Sequence, residues 1–369
     1  TAVFLKGYQW PFDPRKALDG GSSLVDVLVH EETVAKGRRV FLDFRRDAAG
    51  GGRLGPFEPG LLGDEARGYL ERSGAMLKTP LARLARMNAP AVELYRSHGI
   101  DLAREPLEIA VCAQHNNGGF RGSLWWESGV RGLFPVGEVC GTHGVTRPGG
   151  SALNAGQVGS ARAALYIARR RPARPLAAAA FARAAGGVVL EKLGLAEAML
   201  ERGGAAPLTP AACLAEIRDR MSACGAVVRR PAEVRAARAD ARRLWLRARR
   251  ELGAATARDL PAAFGALDLA LTHAAYLEAI GEYLDRGGRS RGSYLVPDPD
   301  GRTPHPLLGG RWAFSLAERG DFVDTHVLEV RVDARGRFLK SWVPVRPVPR
   351  PEGWFETVWE DFREGRTVV

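Results

Sequence analysis

The chain has 369 residues, 46% of them hydrophobic, enough to bury a large core in two or three domains and too many for a disordered polypeptide. Its formal net charge is +11 and its sequence pI about 9.9, yet arginine is spread along the whole chain without interleaved aromatics or a nucleic-acid reading motif. A substrate carrying carboxylates would suit that field; no nucleic acid is expected as a partner, and no transmembrane segment, because no uninterrupted apolar run approaches about twenty residues.

Residues 1–20 carry turn and aromatic elements. Ser22 or Ser23 can cap a helix running to about Ala35, with Val25, Val27, Leu28 and Val34 on its apolar side and Gly37 as its stop. Arg39–Phe44 reads as a strand, residues 47–64 as a Gly- and Pro-rich loop, 64–73 and 79–98 as helices, and Leu107–Ala113 as a second strand. Arg131–Glu138 reads as a short strand ending in an acid, and Ala152–Arg170 as a long helix. An Ala-rich stretch over 171–210 leads into a helical block at about 211–223, 231–251 and 261–286, broken by Gly287-Gly288. Thr325–Val332 and Arg337–Val343 flank Asp333-Ala334-Arg335-Gly336, which predicts a β-hairpin. The tail, rich in Pro, Trp and acids, is expected to lie across the surface.

The four cysteines, Cys112, Cys140, Cys213 and Cys224, form no Cys-x-x-Cys pair and no cluster with metal spacing, so we expect free thiols in a reducing compartment and no metal. The chain opens Thr1-Ala2-Val3-Phe4-Leu5, with no charged leader or cleavage site; this reads as the middle of a longer protein and leaves room for a targeting signal upstream.

Gly50-Gly51-Gly52-Arg53-Leu54-Gly55 fits G-x-G-x-x-G literally. It lacks a strand directly before it and a helix directly after it, and so reads as a flexible loop. The informative stretch comes later. It runs from His115-Asn116-Asn117-Gly118-Gly119 through Gly137-Glu138 to His143-Gly144-Val145-Thr146-Arg147-Pro148-Gly149-Gly150-Ser151-Ala152-Leu153. An acid after a strand can accept hydrogen bonds from ribose hydroxyls. Glycines before a helix let the backbone approach a flat ring, and the first-turn N–H groups of Ser151, Ala152 and Leu153 can bond carbonyl oxygens or an anion. Arginine binds carboxylates bidentately, and histidine donates a hydrogen bond or moves a proton near neutral pH. Placed together by glycine turns, His115, His143 and Arg147 are the candidate catalytic residues.

These motifs resemble the flavoprotein-subunit family of succinate dehydrogenase and fumarate reductase, which includes L-aspartate oxidase. The family pattern pairs a His with Gly-Gly, then Gly-Leu-aromatic-Ala-x-Gly-Glu, then His-Gly-x-x-Arg-x-Gly-Gly-x-Ser-Leu. This chain gives His115 to Gly119, Gly132-Leu133-Phe134-Pro135-Val136-Gly137-Glu138, and His143 to Leu153. The resemblance implies an α+β or α/β chain, the C-terminal part of an FAD-binding Rossmann-like domain with an inserted capping domain, followed by a helical bundle and a small β-hairpin region. The implied division is 1–10 as a remnant of the FAD-binding domain, 11–105 as the capping domain and 106–172 as the C-terminal segment of the FAD-binding domain. Residues 173–290 would be the helical domain, with a Ser290-Arg291-Gly292 motif at its end, and 291–369 a C-terminal extension.

The cofactor implied is FAD. Gly118, Gly119, Glu138, Gly149, Gly150, Ser151, Ala152 and Leu153 would bind it, with Glu138 on the ribose and Ala152 and Leu153 against the isoalloxazine ring. His115 and Arg147 would hold a substrate carboxylate, with His143 near the flavin. The reaction implied is hydride transfer between flavin N5 and a small carboxylate substrate. The alternatives are amine oxidation, as in L-aspartate oxidase, and an electron-transfer or binding subunit without its own dehydrogenase activity. An iron–sulfur protein is the partner implied, and the location implied is cytoplasmic, peripheral to the inner face of the membrane. Two departures stand out. The glycine-rich FAD pyrophosphate segment is not in this chain, and Ser22 or Ser23 falls near the family's proton-donating arginine, with Arg15 and Lys16 close by in sequence but unmatched.

Overall fold

The computed structural model describes residues 1–9, 11–50, 55–113, 118–144, 147, 149–170, 176–318, 320–347 and 354–366. The chain divides into two units. The first comprises Thr1–Ala113, Ala226–Arg229 and Arg289–Ala317; the second comprises Gln114–Gly225, Arg230–Gly288 and Glu318–Val369. Two short pieces that are distant in sequence, around Val228 and Leu295, therefore belong with the N-terminal residues, a grouping that no sequence periodicity announces.

In the first unit, α1 (Ala2–Lys6) and α2 (Leu24–His30) precede strand β1 (Val40–Leu42). Helices α3 (Asp64–Arg72) and α4 (Pro80–Ser97) follow, then β2 (Leu107–Ile109), which pairs antiparallel with β1 in the register Val40↔Ile109. α4 starts where Thr79 caps it: its Oγ1 accepts from Ala82 N at 3.2 Å, and Pro80 supplies a pre-set φ at the first helical position. It bends at Asn88, two residues before Pro90, as expected where proline removes a helical donor. A later strand, β3 (Pro297–Arg302), bridges to Phe314. Phe12, Leu18, Val27, Val228, Leu295, Trp312 and Phe314 form the main core here.

The expected helix to Ala35 is shorter than predicted. α2 ends at His30 and a single π-helical turn, Glu31–Ala35, follows. Val27 and Val29 are buried, whereas Leu28 and Val34 are exposed. The cause is long-range: the Glu31 carboxylate is drawn inward to the Arg311 guanidinium and to Trp312 Nε1, the latter at 2.8 Å, and the wider turn rotates Val34 outward. Ser23 does not cap the helix; its Oγ accepts from Asp13 N at 3.0 Å.

The second unit is mainly helical: α5 (Ser151–Arg170), α6 (Ala178–Arg202), α7 (Pro210–Arg220), α8 (Pro231–Glu251) and α9 (Leu260–Asp285). α7 repeats the Thr-Pro start of α4, with Thr209 Oγ1 accepting from Ala212 N at 3.2 Å. The core lies between α7, α8 and α9 and is closed by Cys213, Ile217, Leu244, Trp245, Ala248, Ala263, Ala266 and Ala270. Small alanines on α9 let the larger side chains of α8 interdigitate. A short helix α10 (Phe322–Thr325) then leads into the hairpin β4 (His326–Val332) and β5 (Phe338–Pro344), paired Val332↔Phe338 as the Asp333–Gly336 turn predicted. The hairpin is held to the helices by Phe338, packed edge-on to Trp245 at 5.9 Å, and by Lys340 Nζ, 3.3 Å from the buried Glu278 carboxylate that also accepts from Arg238. Helix α11 (Trp354–Arg363) closes the described chain.

Among the described residues α9 is the one helix long and apolar enough, by length and composition, to cross a membrane, although Asp268 interrupts its apolar run. Its buried Ala263, Ala266, Ala270, Ala274 and Leu277 face α7 and α8, and it carries the ion-paired Glu278; this is the pattern of a core helix. The described residues mix helices with two small antiparallel sheets, an α+β content.

Candidate functional site

The glycine-rich motifs, separate in sequence, are zipped together. Phe120 N donates to Val139 O at 2.7 Å and Gly141 N to Phe120 O at 3.0 Å, so Phe120 and Cys140 pair in parallel. A glycine is required at 119: a Cβ there would lie 2.4 Å from Val139 O and 2.9 Å from Gly141 N. Gly118 has φ +129°, open in practice to glycine alone. His115, the first histidine of the motif, lies outside the described residues, as do Asn116, Asn117, Val145, Thr146 and Pro148, and Gly51–Leu54 of the N-terminal glycine loop.

The stretch Arg131–Glu138 is not a strand. Gly137–Val139 form a 3-10 turn, and Glu138 sits in its middle with an exposed side chain. Pro135 removes a ladder donor and Gly137 takes φ +78°, so the extended run ends before it can pair. The turn nonetheless presents Glu138 to two other candidate residues. Arg147 Nη2 donates to Glu138 Oε1 at 3.2 Å, and Nη1 donates to Gly149 O at 3.1 Å. His143 Nδ1 lies 3.8 Å from the same Glu138 oxygen. The imidazole of His143 is only 9% exposed, and its Nε2 is buried without a hydrogen-bond partner among the described residues. One carboxylate thus gathers a guanidinium and an imidazole, one proposed for the substrate and one for the cofactor.

Helix α5 begins at Ser151 directly after Gly149 and Gly150. A Cβ added at either glycine, or at Gly144, would meet nothing within 4 Å, so the backbone before the helix is open to close approach. The N–H groups of Ser151, Ala152 and Leu153 belong to a first turn, which has no intrahelical acceptors, at the positive end of a 20-residue helix. Leu153 is exposed.

Residues missed in the sequence hold this arrangement in place. α5 lies against the Glu138 turn because its facing positions are glycines. A Cβ at Gly156 would be 3.6 Å from Gly137 Cα, and one at Gly159 would fall 2.6 Å from the Trp126 ring. Trp126 itself has φ +59°, a costly backbone for a bulky residue, and its indole Nε1 is buried without a partner among the described residues. Trp125 stacks on Tyr166 at 5.6 Å under the Arg162 guanidinium. Arg346, far along the chain, donates to Gly122 O at 2.8 Å. The sequence signal that was available was the adjacent Trp125-Trp126 pair and the Gly-x-x-Gly inside an alanine-rich helix. Cys140 is buried under Gly122, and burial pushes its thiol pKa up, the environment of a packed rather than a reactive cysteine.

In the first unit, the positions near the missing proton donor are occupied. Ser22 and Ser23 are fully buried, and Arg15 is clasped by Asp13, with contacts at 2.6–3.2 Å that raise its pKa. Ser290 is buried, its Oγ accepting from Val296 N at 2.9 Å, and Gly292 takes φ +59°. No group of His, Cys, Asp and Glu among the described residues could hold a metal ion.

No protein-family model matches the chain. Over 72 residues the chain is 42% identical to a CoM/CoB-dependent fumarate reductase polypeptide of Methanothermobacter marburgensis, a match covering 19% of this chain and 13% of that protein. Over 61 residues it is 43% identical to an FAD-dependent oxidoreductase of Methanocaldococcus jannaschii, covering 16% and 11% respectively. In fold it is similar to a quinol-fumarate reductase, with a TM-score of 0.52 and 18% identity over 94% of this chain and 54% of that one. The chain spans about half the length of that solved structure. The chain is therefore similar in sequence, over short segments, to proteins named as a fumarate reductase and an FAD-dependent oxidoreductase, and similar in fold to a quinol-fumarate reductase.

Proposed function

We propose that this chain belongs to an FAD-dependent oxidoreductase that acts on a small carboxylate substrate, as a fumarate reductase or succinate dehydrogenase does. The observation that carries the reading is the meeting of Glu138, His143 and Arg147 beside the open glycines that start α5. The residues fit the cofactor: an open backbone at Gly149 and Gly150, a helix N-terminus that favours negative charge, and a buried histidine nitrogen with no partner among the described residues. In this assignment residues 11–105 are the capping domain, 106–172 belong to the FAD-binding domain, 173–290 are the helical domain and 291–369 the extension.

When bound, FAD supplies two-electron hydride chemistry. The rest is the work of this chain. Gly118 and Gly119 hold the loop close to the Glu138 turn, where Glu138 would accept from the cofactor's ribose hydroxyls. The first turn of α5, Ser151 to Leu153, would turn its N–H groups to the flavin's carbonyl oxygens. Arg147 is oriented by Glu138 and the Gly149 carbonyl and binds the substrate carboxylate, with His115 as the second donor. His143 Nε2, shielded from water, is the atom that holds or moves a proton. An iron–sulfur protein as electron partner and a location peripheral to the membrane are part of the same proposal.

The test uses the full-length protein. Its visible spectrum should show bound flavin, and reoxidation of the reduced flavin should depend on fumarate or a related dicarboxylate. Arg147→Ala should remove turnover while leaving the flavin spectrum unchanged. Absence of flavin absorbance sinks the reading. Bleaching by L-aspartate with peroxide release would move it to amine oxidation, and flavin that no carboxylate oxidises or reduces would make the chain an electron carrier.

A further inference from the structure

Helix α6 is anchored at one end only. Met199 is fully buried, Ala254 N donates to Met199 O at 2.9 Å, and Arg202 Nη1 donates to Leu252 O at 2.5 Å, while the preceding turns stand in the open. Leu190 is 70% exposed and Leu193 53%. Three glycines, Gly186, Gly187 and Gly194, interrupt these bare turns, and a Cβ at any of them would meet nothing within 4 Å. Glycine is the poorest helix former after proline, and an apolar helix is ordinarily stabilised by what covers its face. Here nothing in the described chain does.

The face carrying Leu190 has a further regularity. Arg183, Gly186, Leu190, Gly194 and Glu197 follow the i, i+4, i+7 spacing of a single helix face, and they are symmetric about Leu190. Glycines stand four residues to either side of Leu190, and opposite charges stand seven residues to either side. Arg183 and Glu197 have no ion-pair partner among the described residues, unlike Glu191 and Lys192, which lie off this face and pair with each other at 3.5 Å. A pattern with plus at one end, minus at the other and small residues between is complementary to itself when the direction is reversed.

We propose that α6 pairs with the α6 of a second copy of this chain, antiparallel about a two-fold axis at Leu190. In that arrangement Arg183 faces the partner copy's glutamate twice over, once at each end, as a two-fold interface requires. The paired glycines let the helix backbones approach closely, and Leu190 enters the space above them. The charges set direction and register, and the apolar stripe supplies the buried area.

Sedimentation velocity of the full-length protein over a dilution series tests this. The wild type should run as a dimer that dissociates on dilution. Leu190→Glu should run as a monomer with unchanged helix content and melting temperature. Arg183→Glu alone, which sets like charges together at both ends, should weaken the dimer roughly tenfold. Adding Glu197→Arg to that variant should restore the wild-type affinity, an outcome that a general loss of folding cannot produce. A wild type that stays monomeric throughout, as when α6 is covered by another segment of the same chain, overturns the proposal. So does a Leu190→Glu dimer as tight as wild type, or a double charge reversal that restores nothing.

Discussion

The helical block α7–α9 and the glycine-rich segment 118–170 belong to the same unit and are built on opposite rules. In the block, side chains do the holding: Leu244, Trp245 and Leu277 are buried, small alanines accept them, and the charges that go inside are paired, as Glu278 is with Arg238 and Lys340. In the glycine-rich segment the backbone does the holding. Gly119 packs on Val139 O, Gly159 on Trp126, and Gly156 approaches Gly137. Polar groups there are left over: among the described residues His143 Nε2 and Trp126 Nε1 are buried without partners, and the backbone at Gly149 and Gly150 is open. A block held by packed side chains and paired charges is stable scaffold, whereas a segment whose backbone is open beside a helix N-terminus has interactions to offer a ligand.

Mutations can break that contrast or sharpen it. The largest effect on chemistry is expected at Arg147. Arg147→Ala should lower kcat/KM with a carboxylate substrate by about a hundredfold or more, and a melting temperature that stays put would keep the two regions distinct. The largest effect on stability is expected in the block. Leu277→Ala, at a fully buried position on α9, should cost about 2–5 kcal/mol in denaturant unfolding, with the flavin spectrum of the folded protein unaltered. Gly119→Ala lies between the two. Its Cβ meets backbone rather than a flexible side chain, so it should cost about 1–3 kcal/mol and also weaken flavin binding, measured by titration of the apoprotein.

The smallest effect is a pH dependence. Burial, reinforced by the Arg220 guanidinium 3.2 Å away, holds the pKa of His273 below its ordinary value of about 6.5. The folded chain therefore keeps His273 neutral where the unfolded chain takes up a proton. Stability should be full above about pH 6.5 and fall as the pH drops through that value towards the depressed pKa. His273→Gln should flatten that limb of the stability profile; an unchanged slope would assign it elsewhere.

Much of the helical block was legible in the sequence, because helix periodicity and glycine breaks are local signals. Gly287-Gly288 marks a boundary that the structure reproduces. The hairpin was legible for the same reason, from its Asp333–Gly336 turn. The strand expected at Arg131–Glu138 was not there, because Pro135 and Gly137 act against pairing more strongly than the apolar residues act for it. The apolar side assigned to Val25–Val34 failed because Glu31 answers to Arg311 and Trp312, about 280 residues away, and no local rule contains that partner.

What the sequence determined by itself is a set of residue types suited to the proposed chemistry: an acid, histidines, an arginine and glycines before a helix, in an order that resembles a known flavoprotein pattern. What only the tertiary structure decided is their meeting. The parallel zip of Phe120 with Cys140 brings two motifs about twenty residues apart into contact, and Glu138 becomes the common neighbour of His143 and Arg147. The physical reason is that residue type and local turn preference act over a few positions, whereas packing without a Cβ, burial and charge pairing depend on partners that only the folded chain supplies.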